Sequence, residues 1–223
     1  YYLDNLWHKY QKPTDNFKLF HRVVWKHGGF VRNIKIQEIM RQKDITQLLK
    51  LLSELDEFKN IKRYSPVKGR KLAENDAEHT WRTLMWFLLL EPFLEKKVDS
   101  EKILKMILIH DLPETYTGDE IAFSKNHIHF KKEYKGAKKI FKKFPKQIAQ
   151  KYFNLWKEFE DNKTKEAKIA RAIDKLQPLL QHIELKWNGW KWTKKGVEIV
   201  EKDKRRHMEF DSSLLSVYEH LIS

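Results

Sequence analysis

The sequence predicts an all-α fold, and two observations carry that prediction. Only 7 glycines and 6 prolines occur in 223 residues, which leaves little turn chemistry for a protein rich in β-strands. Apolar residues recur at helical spacing, most clearly in residues 45–58, where leucines form one stripe. With 41% hydrophobic and 34% charged residues, the chain has the composition of a globular domain rather than of a long disordered one.

Four further helices are predicted, in residues 76–96, 100–109, 164–184 and 211–222. Pro92 should bend or interrupt the first of them, because proline cannot donate the helical hydrogen bond. Ser100 and Thr164 are the expected N-caps of the second and third helices. Residues 1–44 show no clean period, so we interpret them as an N-terminal extension to a globular domain in residues 45–223.

The charge balance and the cysteine count restrict the chemistry. Lysine and arginine number 45 against 31 acidic residues, which gives a formal net charge of +14 at pH 7. That excess favours an anionic partner, either a phosphorylated small molecule, a nucleic acid or an acidic membrane surface. The chain has no cysteine. Disulfides, zinc–thiolate sites and cysteine nucleophiles are therefore excluded, and any metal ion must be held by histidine, carboxylate or water.

Neither a membrane span nor a secretory signal is recognisable in the sequence. The longest apolar run without a charge, residues 83–90 (TLMWFLLL), is far shorter than the roughly 20 residues that a helix needs to cross a bilayer. The first ten residues already contain Asp4, His8 and Lys9, unlike the apolar core of a secretory signal. We therefore expect a cytoplasmic protein that does not bind membranes.

Three segments place polar residues where a helix should be apolar. His79 lies near the start of one apolar helix, and the pair His110–Asp111 directly follows another and opens a loop. Asp174 lies on the inner stripe of residues 164–184. Each of these residues alone is more often structural, but burying them separately would be costly. One divalent ion bound by two imidazoles and two carboxylates would satisfy all four, and such ligands suit manganese, iron, cobalt, nickel or zinc.

The ordered set of His79, His110–Asp111 and Asp174 resembles the HD-domain metal-dependent phosphohydrolases, whose ligands follow that order. The resemblance is to the branch that contains the 5′-deoxynucleotidases, and residues 74–82 (ENDAEHTWR) and 110–119 (HDLPETYTGD) carry it. It extends over roughly residues 46–185. It implies an HD-domain helical bundle that forms a homodimer.

The resemblance also implies roles for four further residues. Glu114 corresponds to the acidic residue that activates the attacking water or protonates the leaving group. Asp119 corresponds to a second acidic residue of the substrate pocket. Arg63 falls near the position of an arginine that contacts phosphate, and Tyr64 near that of an aromatic residue that contacts the sugar.

These roles form a coherent hydrolytic mechanism. A divalent ion lowers the pKa of water and neutralises phosphoryl oxygens, so that a metal-activated water can attack phosphorus. Glu114 would move a proton by general acid–base catalysis, and Arg63 offers the fork geometry that suits phosphate. We expect removal of phosphate from nucleotides, above all ribo- or deoxyribonucleoside 5′-monophosphates. The products would be a nucleoside and inorganic phosphate.

Two alternative functions are a nuclease or phosphodiesterase of the same family and a non-catalytic nucleotide-binding module. The segment from Lys131 to Lys146 holds eight lysines among sixteen residues, so it suits a nucleic-acid backbone, although a solvated helix face is the favoured interpretation. The tryptophans of 187–192 (WNGWKW) suit either base stacking or packing. His127 and His129 suit a further metal ion or an exposed loop.

Overall fold

A computed structural model of the chain describes residues 42–119, 127–186 and 204–223. Within these ranges the fold is all-α, as predicted, and no β-strand is present. The α-helices are α1 (Gln42–Leu55), α2 (Asp76–Leu90), α3 (Ser100–Ile109), α4 (Glu114–Thr117), α5 (His127–Phe141), α6 (Lys146–Asp161), α7 (Lys165–Glu184) and α8 (Ser212–Ile222). Short 3-10 helices occupy Asp56–Asn60, Glu91–Phe93 and Arg205–His207.

The helix boundaries follow local capping chemistry. Thr164 caps α7, as predicted, by accepting a hydrogen bond from the backbone N–H of Ala167. The cap of α3 is Asp99 rather than Ser100, because the Asp99 carboxylate accepts from the backbone N–H of Lys102. Pro92 lies in the 3-10 turn that follows α2, so this helix ends well before residue 96.

A further difference from the sequence-based prediction concerns α4. The segment 110–119, expected to be a loop, contains the single helical turn α4. Gly118 ends this turn with a φ of 72°, in the left-handed region where glycine carries no steric cost. Pro178 lies inside α7 without ending that helix.

The core is built around α7, which packs against α2, α3, α6 and α8. The largest fully buried side chains come from all five of these helices and include Phe87, Ile103, Trp156, Ile173 and Tyr218. The indole of Trp156 also donates a hydrogen bond to the backbone carbonyl of His110 at 3.0 Å. This bond ties the end of α3 to the core at the point where the predicted site begins.

Several expectations fall outside the described residues. They are those for residues 1–41 of the N-terminal extension, for the tryptophans of 187–192, and for the side chains of His127 and His129. The proposed boundary between residues 44 and 45 lies within α1 and stays a prediction. Among the described helices, none combines the length and the apolar character that crossing a bilayer requires.

Candidate metal centre

Three helices of the core bring the four predicted ligands together. His79 lies in the first turn of α2, His110 and Asp111 directly follow α3, and Asp174 lies in the middle of α7. His79 is fully buried, and His110 and Asp174 are only 4% and 7% exposed. Because α2, α3 and α7 pack against one another, residues far apart in the sequence meet at one point.

The ligand atoms of these residues lie close together. His79 Nε2 is 3.0 Å from Asp174 Oδ1 and 3.7 Å from Asp111 Oδ2. His110 Nε2 is 3.0 Å from Asp111 Oδ2 and 3.5 Å from Asp174 Oδ1. Both imidazoles therefore direct the same ring nitrogen, Nε2, at the same two carboxylates.

Hydrogen bonding leaves Nε2 of His110 available as a ligand atom. Its other ring nitrogen, Nδ1, lies 2.7 Å from the backbone carbonyl oxygen of Ile107, which can only accept a hydrogen bond. Nδ1 therefore carries the proton, and neutral His110 has its lone pair on Nε2. This Nε2 is buried and makes no hydrogen bond, although Asp111 lies beside it.

A divalent cation fits this arrangement. Two buried imidazole nitrogens and two carboxylates face one another at distances of 3.0–3.7 Å. In the absence of a proton or a metal ion between them, these groups would present lone pair to lone pair. A divalent ion would satisfy all four at once, and this set of nitrogen and oxygen donors is one that transition metals accept.

Burial and neighbouring charges set the two histidines apart in the metal-free site. Burial opposes a charge on His110, but Asp111 and Asp174 outweigh it and raise its pKa to about 10. Burial and the nearby Arg63 lower the pKa of His79 to about 4. A proton on His110 thus neutralises part of the carboxylate charge, and a metal ion must displace that proton when it binds.

Arg63 lies beside the metal centre rather than at a distance from it. Its Nη1 donates to Asp111 Oδ2 at 2.9 Å and to Asp76 Oδ1 at 3.0 Å. Asp119 Oδ1 and Glu74 Oε2 lie 4.0 Å from the guanidinium. The Nε of Arg63 is buried without a hydrogen-bond partner.

Backbone pairing positions Arg63. Its N–H donates to the carbonyl of Glu74 at 2.8 Å, and the N–H of Glu74 donates to the carbonyl of Ser65 at 2.9 Å. Residues 62–65 thus run antiparallel to residues 74–75, which directly precede α2. This pairing places Arg63 beside the proposed ligands. The neighbouring Tyr64 is 57% exposed.

The turn after α3 brings in Glu114 and Asp119. Glu114 opens α4 and is 2% exposed, and its carboxylate lies within 4.8 Å of those of Asp76 and Asp111. Asp119 follows Gly118 and lies 4.0 Å from Arg63. The structure thus gathers all the predicted site residues except Tyr64 around the metal centre, while the roles of all of them stay predictions.

Helix α5 supports this turn from outside. A Cβ atom on Gly136 would lie 2.8 Å from the backbone oxygen of Pro113, so only glycine permits this approach. On the next turn, Lys139 Nζ lies 3.8 Å from the centre of the Tyr116 ring. The position of Glu114 therefore depends on close packing between α4 and α5.

Sequence reasoning gave no role to Glu74 and Asp76, although both lie in the motif 74–82. Both are almost fully buried. Burial raises the pKa of Glu74 to about 7, and burial together with Asp111 raises the pKa of Asp76 to about 7. Their signal in the sequence was weak, because polar residues at a helix start are usually caps.

Comparison with known proteins shows the family of this chain. The family model for the HD domain matches residues 55–214. The chain belongs to the HD-domain family. The HD-domain resemblance of the two motifs is thereby confirmed, and with it the helical-bundle fold.

Curated relatives of this HD domain include two 5′-deoxynucleotidases named HDDC2. The protein of Dictyostelium discoideum is 31% identical over 135 residues, which is 57% of this chain and 71% of the relative. The protein of Xenopus laevis is 24% identical over 184 residues, 80% of this chain and 81% of the relative.

Solved structures share the HD-domain architecture. A predicted metal-dependent phosphohydrolase of Magnetospirillum magnetotacticum superposes with a TM-score of 0.72 at 27% identity, over 82% of this chain and 94% of that one. The PH0347 protein of Pyrococcus horikoshii superposes with a TM-score of 0.58 at 26% identity, over 76% and 97% of the two chains.

Proposed function

We propose that this HD-domain chain is a metal-dependent phosphohydrolase that removes phosphate from nucleoside 5′-monophosphates, with a preference for deoxyribonucleotides. The observation that carries the proposal is the convergence of His79, His110, Asp111 and Asp174 beside a buried carboxylate and a half-buried arginine. The 5′-deoxynucleotidase relatives support the choice of substrate.

The four ligands would hold one divalent transition metal ion, either manganese, cobalt, iron, nickel or zinc. When bound, such an ion supplies Lewis-acid chemistry, by lowering the pKa of water and neutralising phosphoryl oxygens. Glu114 would move a proton, because its buried carboxylate lies within 4.8 Å of that of the proposed ligand Asp111.

Arg63 and Tyr64 would define the substrate. Arg63 Nε is a buried donor without a partner, so a phosphoryl oxygen would satisfy it with a charge-assisted hydrogen bond. Tyr64 is adjacent in the chain and exposed, so its ring is available to pack on a sugar. An aromatic wall against C2′ would leave a 2′-hydroxyl without a hydrogen-bond partner, which favours the deoxy sugar. Asp119 would complete the pocket near Arg63.

A panel of substrates tests the proposal. Phosphate release would be measured with deoxy- and ribonucleoside mono-, di- and triphosphates, each with several divalent metals. The proposal requires release from 5′-monophosphates that depends on the metal and is lost in Asp111→Asn. Absence of release from every 5′-monophosphate, with metal bound, would contradict it.

A second candidate function is the cleavage of a polynucleotide. The lysines from Lys131 to Lys143 are all exposed, whereas Glu133 among them is buried. This basic surface adjoins the site, because Lys139 stacks on Tyr116 two residues after Glu114. Salt-sensitive binding and cleavage of an oligonucleotide, lost when these lysines are replaced by glutamate, would favour this candidate over nucleotide hydrolysis.

Two further expectations from the sequence are a homodimer, which the family resemblance implies, and a cytoplasmic location. We retain both as part of the proposal. Sedimentation of the purified protein would test the first, and imaging of the tagged protein in its own cells would test the second.

A further inference from the structure

We propose that Gln177 is a positioning residue that fixes the tautomer of His79, at the end of a hydrogen-bond chain that begins at Arg82. The inference rests on the proposed metal centre. It concerns the groups behind that centre, which hold a ligand ready to bind. Gln177 is fully buried and lies on α7, one turn after Asp174.

The amide of Gln181 has a determined orientation. Arg82 can only donate, and its Nη1 lies 2.8 Å from Gln181 Oε1. The backbone carbonyl of Pro66 can only accept, and the Nε2 of Gln181 donates to it. The oxygen and the nitrogen of this amide are thus each fixed by a partner that allows no other assignment.

Gln181 in turn orients Gln177. Gln177 Nε2 donates to Gln181 Oε1 at 2.7 Å and to Glu74 Oε1 at 3.1 Å. Its own oxygen, Oε1, therefore faces His79 Nδ1 at 2.6 Å. Because an amide oxygen can only accept, Nδ1 of His79 must carry the proton. The lone pair of neutral His79 then lies on Nε2, the atom that points at Asp174 and Asp111.

The position of His79 in its helix explains why a side chain must accept the hydrogen bond from its Nδ1. His110 follows the last turn of α3, where carbonyl groups lack helical partners, and Ile107 supplies one. His79 lies in the first turn of α2, where the unpaired backbone groups are N–H donors that cannot accept. The acceptor for His79 Nδ1 therefore comes from another helix.

The tautomer matters because Asp174 favours the form of His79 that carries its proton on Nε2. Asp174 Oδ1 lies 3.0 Å from His79 Nε2 and, in the metal-free site, would accept a proton from it. An imidazole with its proton on Nε2 cannot bind a metal through that atom. Gln177 opposes this form, because its Oε1 accepts a hydrogen bond from a proton on Nδ1, the other ring nitrogen.

The test compares Gln177→Met, which removes the acceptor at similar volume, with Thr83→Val. Thr83 is buried on α2 and donates to the backbone carbonyl of His79, so its loss perturbs the same residue without touching the ring. Zn²⁺ affinity should fall about 10- to 100-fold in Gln177→Met, the usual effect of losing a partner behind a metal ligand, and stay within about threefold in Thr83→Val.

Ring ¹⁵N NMR of the metal-free proteins gives a readout that general destabilisation would not produce. The His79 signals, identified by their absence in His79→Gln, should show a protonated Nδ1 in the wild type. They should show a protonated Nε2 in Gln177→Met. An unchanged tautomer, or equal losses of Zn²⁺ affinity in both variants, would overturn the proposal.

Arg82 provides a second, half-buried position for the case in which Gln177→Met does not fold. Arg82→Met should weaken Zn²⁺ binding by roughly three- to tenfold, less than Gln177→Met, because Glu74 still orients Gln177. Arg82→Lys, which keeps a donor, should bind Zn²⁺ like the wild type, and equal affinity in the two Arg82 variants would overturn the chain from Arg82. These readouts use Zn²⁺ alone, so a failure to hydrolyse nucleotides would leave them unaffected.

Discussion

A single nitrogen of Arg63, Nη1, donates to both Asp111 and Asp76, at 2.9 Å and 3.0 Å. The residue proposed to hold the substrate phosphate is therefore bonded to a proposed metal ligand. Binding of phosphate and the geometry of the metal centre should be coupled through this contact, because any movement of Arg63 releases Asp111 from one hydrogen bond.

Arg63 and Tyr64 should affect substrate choice differently. Arg63→Ala should lower kcat/KM for all nucleotides alike, since every substrate carries the phosphate. Tyr64→Ala should mainly reduce the deoxy preference, which is about 5- to 150-fold if an unpaired 2′-hydroxyl costs about 1–3 kcal/mol. The measurement is kcat/KM for one base in both sugar forms. Equal wild-type values for the two sugars would rule out the role of Tyr64.

His110→Ala should remove the metal ion and abolish activity. Its Nε2 is a buried atom without a hydrogen bond, and an incomplete ligand set binds weakly. Elemental analysis of the purified variant should show loss of the roughly one equivalent per chain expected in the wild type. The control is His182→Gln, since His182 is a buried histidine bonded to Ser65. Full occupancy in His110→Ala would remove His110 from the metal centre.

Glu114→Gln should separate proton transfer from metal binding. The change keeps the size of the side chain but removes its ability to exchange a proton, so turnover should fall by roughly 10²- to 10⁴-fold. Metal content should stay near the wild-type value. Glu101→Gln, at an exposed position on α3, serves as the control. Turnover near that of the wild type in Glu114→Gln would exclude Glu114 from the chemistry.

His182 should make the stability of the protein sensitive to acid. Burial, with Lys204 and Arg63 nearby, lowers its pKa from the ordinary 6.5 to about 3. Between about pH 6.5 and pH 3, His182 is therefore protonated in the unfolded chain but neutral in the folded chain. The free energy of unfolding falls as the pH drops through this range. Above pH 6.5 His182 is neutral in both the folded and the unfolded chain, so it no longer lowers the stability.

Denaturant unfolding at pH 7.5 and pH 5 would measure this effect. His182→Gln should lose less stability between the two values than the wild type, whereas His220→Gln, at an exposed position, should behave like the wild type. The same loss in His182→Gln as in the wild type would show that other groups carry the acid sensitivity.

Gly136→Ala should impair catalysis from a helix that contributes no ligand. The new Cβ would lie 2.8 Å from the Pro113 oxygen, so the turn that carries Glu114 must move. Overpacking costs about 1–3 kcal/mol, which exceeds the gain of about 1 kcal/mol from replacing a helical glycine by alanine. Lower kcat with normal metal content is expected, and Lys135→Ala on the same helix is the control. Unchanged kcat and stability would show that α5 adapts without moving the turn.

Five of the eight described α-helices were predictable from the sequence, because each has a local signature, and the proposed ligands lie within or directly after three of them. Periodic apolar residues mark α7, and Asp174 interrupts its inner stripe. The N-cap of α3 could not be chosen from the sequence, because Asp99 and Ser100 are adjacent and either residue type can cap a helix. The contact between His79 and Gln177 joins residues 98 positions apart, so only the packing of α2 on α7 reveals it. The same holds for the bond from Arg63 to Asp111.

The distance in sequence between the ligands has a consequence for how the fold holds together. His79 and Asp174 are 95 positions apart, so an ion bound by both would act as a reversible cross-link between α2 and α7. An ion that binds only the folded chain stabilises it by about 2.7 kcal/mol at one hundred times its dissociation constant. The melting temperature should therefore rise with metal concentration, and a cell short of the metal would hold a protein that unfolds, and is degraded, more readily.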